Sequence, residues 1–292
     1  MRLITARILD QAVPMLLRDD GGLVDLRPWG LHSLLELVQA DLSVQARIAE
    51  SAPNSEPSAI FGGVPLEAPI PVPPRNVFCV GANYRSHIEE GDRGPDQGPP
   101  PAPVFFTKPW TTLRGSGQVL EFPKQVALEL DWEAEIACVI GRGGRNLSED
   151  DAAQAVFGLT LANDLSARDI QLRNGNWGQW FQGKSLDGSC PMGPVLVTLD
   201  EFGGQIPDLE FRLTLNGVEK QSARMSEMVH GIPGILASLS VGLELLPGDV
   251  VLTGTPAGVG HWHDPKQFLA DGDEVIIECP EIGQLSNVIR HV

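Results

Sequence analysis

Cations are scarce in this 292-residue chain: 21 Lys and Arg stand against 38 Asp and Glu, a formal charge of −17. A phosphate surface is held by a basic face, so no nucleic-acid and no membrane partner is expected. A site for an anionic small molecule must recruit its few cations, or a metal, on purpose. Cysteine is equally sparse. Cys79, Cys138, Cys190 and Cys279 lie far apart with no C-x-x-C pair, which argues against a zinc finger or disulfide framework and for a reducing compartment. No run approaches the roughly 18 apolar residues of a membrane span. Arg7 and Asp10 also break the leading apolar stretch where a signal peptide would have its core. A cytoplasmic location is the expectation.

What is present is ordinary globular material, with 42% hydrophobic and 20% charged residues. The length allows one or two domains. Residues 1–70 read as a small α/β N-terminal domain. Its short apolar runs are punctuated by Asp19-Asp20-Gly21-Gly22, and Leu31, Leu34, Leu35, Val38 and Leu42 recur at helical spacing. The proline-dense EAPIPVPP at 67–74 reads as a linker, leaving 71–292 as a second domain. That part is mostly short β-branched and aromatic runs, with strands expected at 104–107, 119–122, 128–140, 156–163, 195–199, 209–215, 250–253 and 275–278. Asn216-Gly217 signals a hairpin. Ser148 with Asp151 signals a helix start, and a further helix is expected near 225–239 despite Pro233. The tract GDRGPDQGPPPAP at 91–103 reads as a surface loop. With 32 Gly, 24 Pro and no regular strand–helix alternation, the fold class is α+β and β-rich, a barrel or sandwich rather than a doubly wound sheet.

The stretch ELDWEAEIACVI, 129–140, is the most informative. On one strand Glu129, Asp131, Glu133 and Glu135 share a face, and the apolar residues that follow carry the strand into a core. Like charges entering a low dielectric repel unless a cation sits among them. With no Cys or His nearby, a hard divalent ion with oxygen ligands fits better than zinc. A solvated acidic face on an edge strand is the alternative reading. Asp164, where the apolar strand VFGLTLAN leaves the core, offers a third carboxylate and an open, catalytic kind of metal site.

Several motifs in order then resemble the fumarylacetoacetate hydrolase family over roughly 75–292. They are VGANYRSHIEE at 80–90, LDWEAEI at 130–136, ANDLSARDIQ at 162–171, GKSLDGSCPMGP at 183–194, PGDVVLTGTPAGVG at 247–260 and GDEV at 272–275. The resemblance implies a mixed β-roll or barrel of that family's C-terminal type, one Mg²⁺ or Mn²⁺ per chain, and a homodimer. By match to the motifs the metal ligands are Glu133, Glu135 and Asp164. A further acidic ligand of the family's larger members has no counterpart here, where Asn83-Tyr84 stands.

His87 and Glu90, three apart, meet on one helical turn, where a carboxylate fixes the imidazole tautomer and suits it to act as general base. A surface ion pair is the alternative. Among relatives this pair activates water on a segment that orders over substrate, and Gly91, Gly94 and Gly98 could permit closure. GQWFQGKS at 178–185 satisfies the phosphate-loop pattern. Gly188 and Pro191 forbid the helix that pattern requires, and Trp180 and Phe181 would crowd a phosphate. The family reading instead makes Lys184 a cation that stabilises an enolate, with Arg168 and Gln171 contacting substrate oxygens. Thr255 and the backbone N–H groups of 253–260 could bind a carboxylate. Tyr84 lies beside the base and is a further candidate substrate contact.

The expected reaction is metal-dependent hydrolysis of a C–C bond in a 2,4-dioxo acid: His87 activates water, and pyruvate leaves as its enolate beside Lys184. Decarboxylation, isomerisation or hydration of a 2-oxo acid at the same site is the first alternative. A silent oxo-acid-binding dimer is the second. Substrate selectivity is expected in loops 91–103 and 261–268.

Overall fold

A computed structural model describes residues 1–91, 98–173 and 178–292. Residues 92–97 of the 91–103 tract, Gly94 among them, therefore lie outside the described residues. Twelve strands form one mixed sheet whose centre is built from Cys190–Thr198, Val156–Asn163, Ala134–Ile140 and Val250–Leu252 in spatial order. These four pair antiparallel, whereas Val250–Leu252 runs parallel to Val77–Gly81, which makes the sheet mixed. A second sheet of five strands holds the hairpin Glu210–Leu215 and Val218–Arg224. Asn216 and Gly217 both adopt positive φ, 50° and 78°, as a two-residue primed turn requires.

The strands centred on 134–163 are buried on both faces, and their alternation sorts two cores. Ala134, Ile136, Cys138 and Ile140 join one apolar cluster; Ala137 and Val139 join the other, with Leu34, Leu37 and Leu196. Glu133 and Glu135 have the phase of Ala137 and Val139. Glu133 also borders a cavity.

The leading strands are not set apart. Arg2 and Leu3 pair with Val197 and Leu196 of the central sheet, and Leu66–Glu67, at the start of the proline-dense stretch, pairs with Thr5 and Ala6. The helical spacing of 31–42 resolves into two helices, Leu34–Gln39 and Leu42–Ser51, because Ala40 and Asp41 are extended between them. Leu42 consequently faces solvent at 81% exposure instead of joining the apolar stripe. Ser148 caps the helix Glu149–Ala155 by accepting from Asp151 N at 3.1 Å, as its spacing predicts. The helix expected near 225–239 begins only at Ile232, so Pro233 occupies the first turn, where no backbone donor is lost.

The expected strand 128–140 is broken, and the break shapes the site. Leu130–Asp131 pairs with Ser166–Ala167, and a fresh strand starts at Ala134. Between them Glu133 N donates to the Asn163 side-chain carbonyl at 2.9 Å, and Ala134 N to that of Gln221 at 2.9 Å. Side chains thus replace ladder partners and turn Asp131 away from Glu133. Among the described residues no helix is long and apolar enough to cross a membrane.

Candidate active site

Ala134 pairs with Asn163 and Glu135 with Ala162, so the next antiparallel step sets Glu133 beside Asp164. One carboxylate oxygen from each of Glu133, Glu135 and Asp164 lies within 4.8 Å of the others, and all three side chains are buried. Among the described residues these three form the one such acidic cluster; Glu129 and Asp131 are not part of it.

Two buried lysines brace the cluster. Lys184 Nζ lies 2.7 Å from Glu133 Oε2 and 2.9 Å from Asp164 Oδ2. Lys108 Nζ lies 2.7 Å from Asp164 Oδ1 and donates to the Leu165 carbonyl at 3.1 Å. Arg168 joins from its short helix, Arg168–Gln171, pairing with Glu133 Oε1 at 2.7 Å and Asp131 Oδ2 at 2.8 Å while donating to Gln171 Oε1 at 2.8 Å. Around the site stand four carboxylates and three cations, and Glu135 is the acid without a cation partner among the described residues. Its Oε2 accepts from Gly254 N at 2.5 Å.

The electrostatics follow from that imbalance. Burial alone would raise Glu133, but the charges of Lys184, Arg168 and His87 outweigh it and bring the carboxyl down to about 2. Burial, then the charges of Asp164 and Glu133, push Glu135 well above the usual carboxylate range. Burial opposes the charge of Lys184, but Asp164 and Glu133 more than compensate and hold its ammonium above the ordinary value. A divalent cation answers this arrangement: three hard oxygen donors converge, and the one lacking a counter-charge gains it.

The cavity above the cluster measures about 420 Å³ and is lined by His87, Glu133, Arg168, Gln171, Lys184 and Thr255 on its polar side. His87 Nδ1 and Glu90 Oε1 lie 2.6 Å apart on the helix Arg85–Glu90, and Glu90 Oε2 accepts from Gly258 N at 2.8 Å. The imidazole is therefore held by a carboxylate that is itself anchored. A larger groove of about 620 Å³ on the second sheet lacks this convergence. Its charges are exposed ion pairs, such as Arg212–Glu278 and Arg224–Glu210, both at 2.6 Å.

Two expectations require correction. Tyr84 does not line the cavity: it is fully buried, packed edge-on against Phe211 with ring centroids 6.3 Å apart. Its place beside His87 in sequence is undone because Tyr84 caps the helix from outside its first turn. Most N–H groups of the 253–260 turn are engaged within the protein and not free for a substrate carboxylate as expected. Gly254 N serves Glu135, Ala257 N serves Ser86 Oγ, Gly258 N serves Glu90, and Gly260 N with His261 N serves Asp131. The turn is an anchor for the protein's own acids. Gly258 is needed there, with φ at +100° and the Lys220 carbonyl 1.9 Å from where a Cβ would sit. Thr255 lines the cavity while its Oγ1 accepts from Gln221 at 2.8 Å. Lys184 ends its helix, Trp180–Lys184, the reverse of a phosphate loop, where the lysine opens one.

Lys108, Asn163 and Gln221 escape sequence reasoning. Lys108 gives a faint signal as the cation closing the apolar strand VFFTK; Gln221 gives none, since it lies in an otherwise half-exposed hairpin.

The fold and site define a class, the fumarylacetoacetate hydrolase family. The profile described as fumarylacetoacetate (FAA) hydrolase C-terminal matches residues 76–290, and the chain belongs to that family. Among curated relatives, the oxaloacetate tautomerase YisK of Bacillus subtilis is 44% identical over 227 residues, covering 77% of this chain and 73% of its own length. The mitochondrial oxaloacetate tautomerase fahd2 of Xenopus laevis is 36% identical over 300 residues, covering 99% and 90%. Among solved structures, the fumarylacetoacetate hydrolase of Exiguobacterium antarcticum superposes over the whole of both chains with TM-score 0.82 and 35% identity. Fumarylpyruvate hydrolase from Pseudomonas aeruginosa, in complex with Mn²⁺ and pyruvate, covers 75% of this chain and 90% of its own, with TM-score 0.66 and 29% identity.

Proposed function

We propose that this chain catalyses the keto–enol tautomerisation of a 2-oxo acid with a divalent cation, Mg²⁺ or Mn²⁺, bound by Glu133, Glu135 and Asp164. The observation that carries the reading is Lys184, an ammonium bridged to Glu133 and Asp164 at the floor of a cavity whose wall presents an anchored imidazole. Support also comes from the tautomerase relatives at 36–44% identity. When bound, the cation would supply Lewis acidity toward the carboxylate and 2-oxo oxygens. His87, oriented by Glu90, removes a proton from C3 of the keto form. The C–H electron pair becomes the C2–C3 double bond, and the carbonyl π pair moves to the 2-oxygen, which then takes a proton. Lys184 holds the negative charge that builds on this oxygen, and preorganised charge of that kind is commonly the largest catalytic contribution. Arg168 and Gln171 face the same cavity and orient the acid.

A second reading keeps the site and changes the bond broken: hydrolysis of a 2,4-dioxo acid to pyruvate and a carboxylic acid. The tightly held His87–Glu90 pair favours it, since such a pair can deprotonate water as well as carbon. Purified protein with oxaloacetate, acetylpyruvate and fumarylpyruvate, with Mg²⁺ or Mn²⁺ and with chelator, separates the readings. A tautomerase accelerates decay of the enol absorbance without forming pyruvate. A hydrolase releases one pyruvate per dioxo acid. Turnover of none of them in the presence of metal overturns both.

A further inference from the structure

Asp131 shares the acidic stripe of ELDWEAEI with the proposed metal ligands, yet the fold gives it a different set of partners. It is wholly buried, and its carboxylate accepts from four N–H groups. Oδ1 accepts from Trp132 N at 2.9 Å and Gly260 N at 2.7 Å. Oδ2 accepts from His261 N at 3.1 Å and Arg168 Nε at 2.8 Å. Three of these donors are backbone groups, so the carboxylate cannot swing without breaking main-chain hydrogen bonds. The approach is close enough to need a glycine: a Cβ at Gly260 would lie 2.9 Å from Asp131 Oδ1 and 2.0 Å from the Gln267 carbonyl oxygen.

The fourth donor, Arg168, faces the cavity. Its backbone is set by the short ladder in which Asp131 pairs with Ser166, and its own N–H donates to the Glu129 carbonyl at 2.9 Å. Its side chain is then held at three nitrogens: Nε on Asp131, Nη1 on Gln171 at 2.8 Å and Nη2 beside Glu133 at 2.7 Å. A guanidinium is planar, so three held nitrogens define its plane as well as its position. Glu133 is a proposed metal ligand and Gln171 a proposed substrate contact. Asp131 belongs neither to the acidic cluster nor to the cavity lining. A carboxylate held by backbone on one side and holding a cavity side chain on the other is placed as a support for that side chain. The same carboxylate anchors the turn whose His261 and Trp262 line the cavity.

We infer that Asp131 is a positioning residue for the substrate. Pinned by the N–H groups of Trp132, Gly260 and His261, it aims the Arg168 guanidinium at the acid in the cavity. It also fixes that guanidinium relative to the wall formed by His261 and Trp262. The inference rests on the reading of Arg168 as a group that orients the substrate, and not on which bond is then made or broken.

A double-mutant cycle on Mn²⁺-loaded full-length protein, with pyruvate as the probe, tests it. Arg168→Lys keeps the charge and loses the planar fork, and should weaken pyruvate binding about tenfold by calorimetry. Asp131→Asn sets an amide NH₂ against N–H donors and should also cost about tenfold, while Mn²⁺ affinity changes less than about threefold. The double variant should bind pyruvate within about twofold of Arg168→Lys, because one residue acts through the other. With enol-oxaloacetate, Asp131→Asn should raise KM about tenfold and leave kcat within about threefold. If the Asn variant does not fold, Asp131→Glu keeps the charge, displaces the carboxylate and carries the same expectation. Wild-type pyruvate affinity in the Asp131 variant overturns the inference. So does a double variant about a hundredfold weaker than wild type, or Mn²⁺ affinity that falls in step with pyruvate. Arg168→Lys binding pyruvate as the wild type does overturns instead the reading of Arg168 beneath it. If enol-oxaloacetate is not turned over while the cycle holds, the tautomerase reading fails and the positioning role stands.

Discussion

The backbone N–H of Asp164 donates to the carbonyl of Glu133 at 2.9 Å, so two carboxylates thirty-one positions apart become cross-strand neighbours on one face. Glu135, two residues along that strand, completes the cluster because alternate side chains share a face. Backbone pairing therefore sets the spacing of the proposed metal ligands, and side-chain flexibility contributes little. Replacing Glu135 by Gln should leave the fold intact and weaken Mn²⁺ binding by about tenfold or more, read by titration calorimetry. Saturating metal should stabilise the wild type by about 2.7 kcal/mol at a hundred times Kd. At the same metal concentration that increment should fall to about 1.4 kcal/mol or less in the variant.

Glu135 also gives the chelated protein a pH signature. Its carboxyl is raised in the folded state, so between the ordinary glutamate value of 4.5 and the raised one the native state binds more protons than the unfolded chain. Stability from this group is then present at the low end of that window and is lost as pH rises through it. With metal bound the carboxylate is neutralised and the sign reverses, so the gap in Tm between metal-loaded and chelated protein should widen with pH. Glu135→Gln should flatten that widening; a gap independent of pH in the wild type would refute the assignment.

His87, the proposed base, lines the cavity without belonging to the acidic cluster. His87→Ala is expected to lower kcat by 10²–10⁴ while Mn²⁺ affinity changes less than about threefold. Glu90→Gln should lower kcat less, because the imidazole stays in the cavity but loses its 2.6 Å partner. Turnover that survives His87→Ala would remove it as the base.

Lys108 makes a different demand. It is wholly buried between Asp164 and the Leu165 carbonyl, and Lys108→Met leaves one Asp164 oxygen without its partner. Removing one member of a buried pair typically costs about 3–5 kcal/mol. Urea denaturation of the chelated protein should show a loss of that order, partly recovered when metal is added.

The four cysteines should be inert in the native protein. All are buried, and burial pushes the thiols of Cys138, Cys190 and Cys279 up to about 12 and that of Cys79 well above its ordinary value. A thiol reagent at pH 8 should label none of them until denaturant is added, and then all four.

Local pattern made much of this legible. Alternation over 133–140, the capping serine at 148 and the Asn216-Gly217 turn each act within a few residues, and each is found where the residues indicate. The motif pair E-x-E and the distant Asp164 were enough to propose the cluster. The break at Trp132–Glu133 was not legible, because it is made by Asn163 and Gln221, whose side chains arrive from other strands. Tyr84 misled for a similar reason: adjacency to His87 along the chain says nothing about which side of the helix start faces the cavity.

Charge, composition and short-range periodicity by themselves determined that this chain is acidic and β-rich, with a stripe of acids on a strand entering a core; the family was indicated by the order of its motifs. Only the tertiary structure decided which acids bind outward and which are consumed internally. Asp131 and Glu133 look alike in ELDWEAEI, yet one caps the Gly260–His261 turn and the other faces the cavity. The reason is physical: a carboxylate's role depends on which donors reach it, and here the turn that binds Asp131 lies more than a hundred residues away while Arg168 and Lys184 reach Glu133 from other segments.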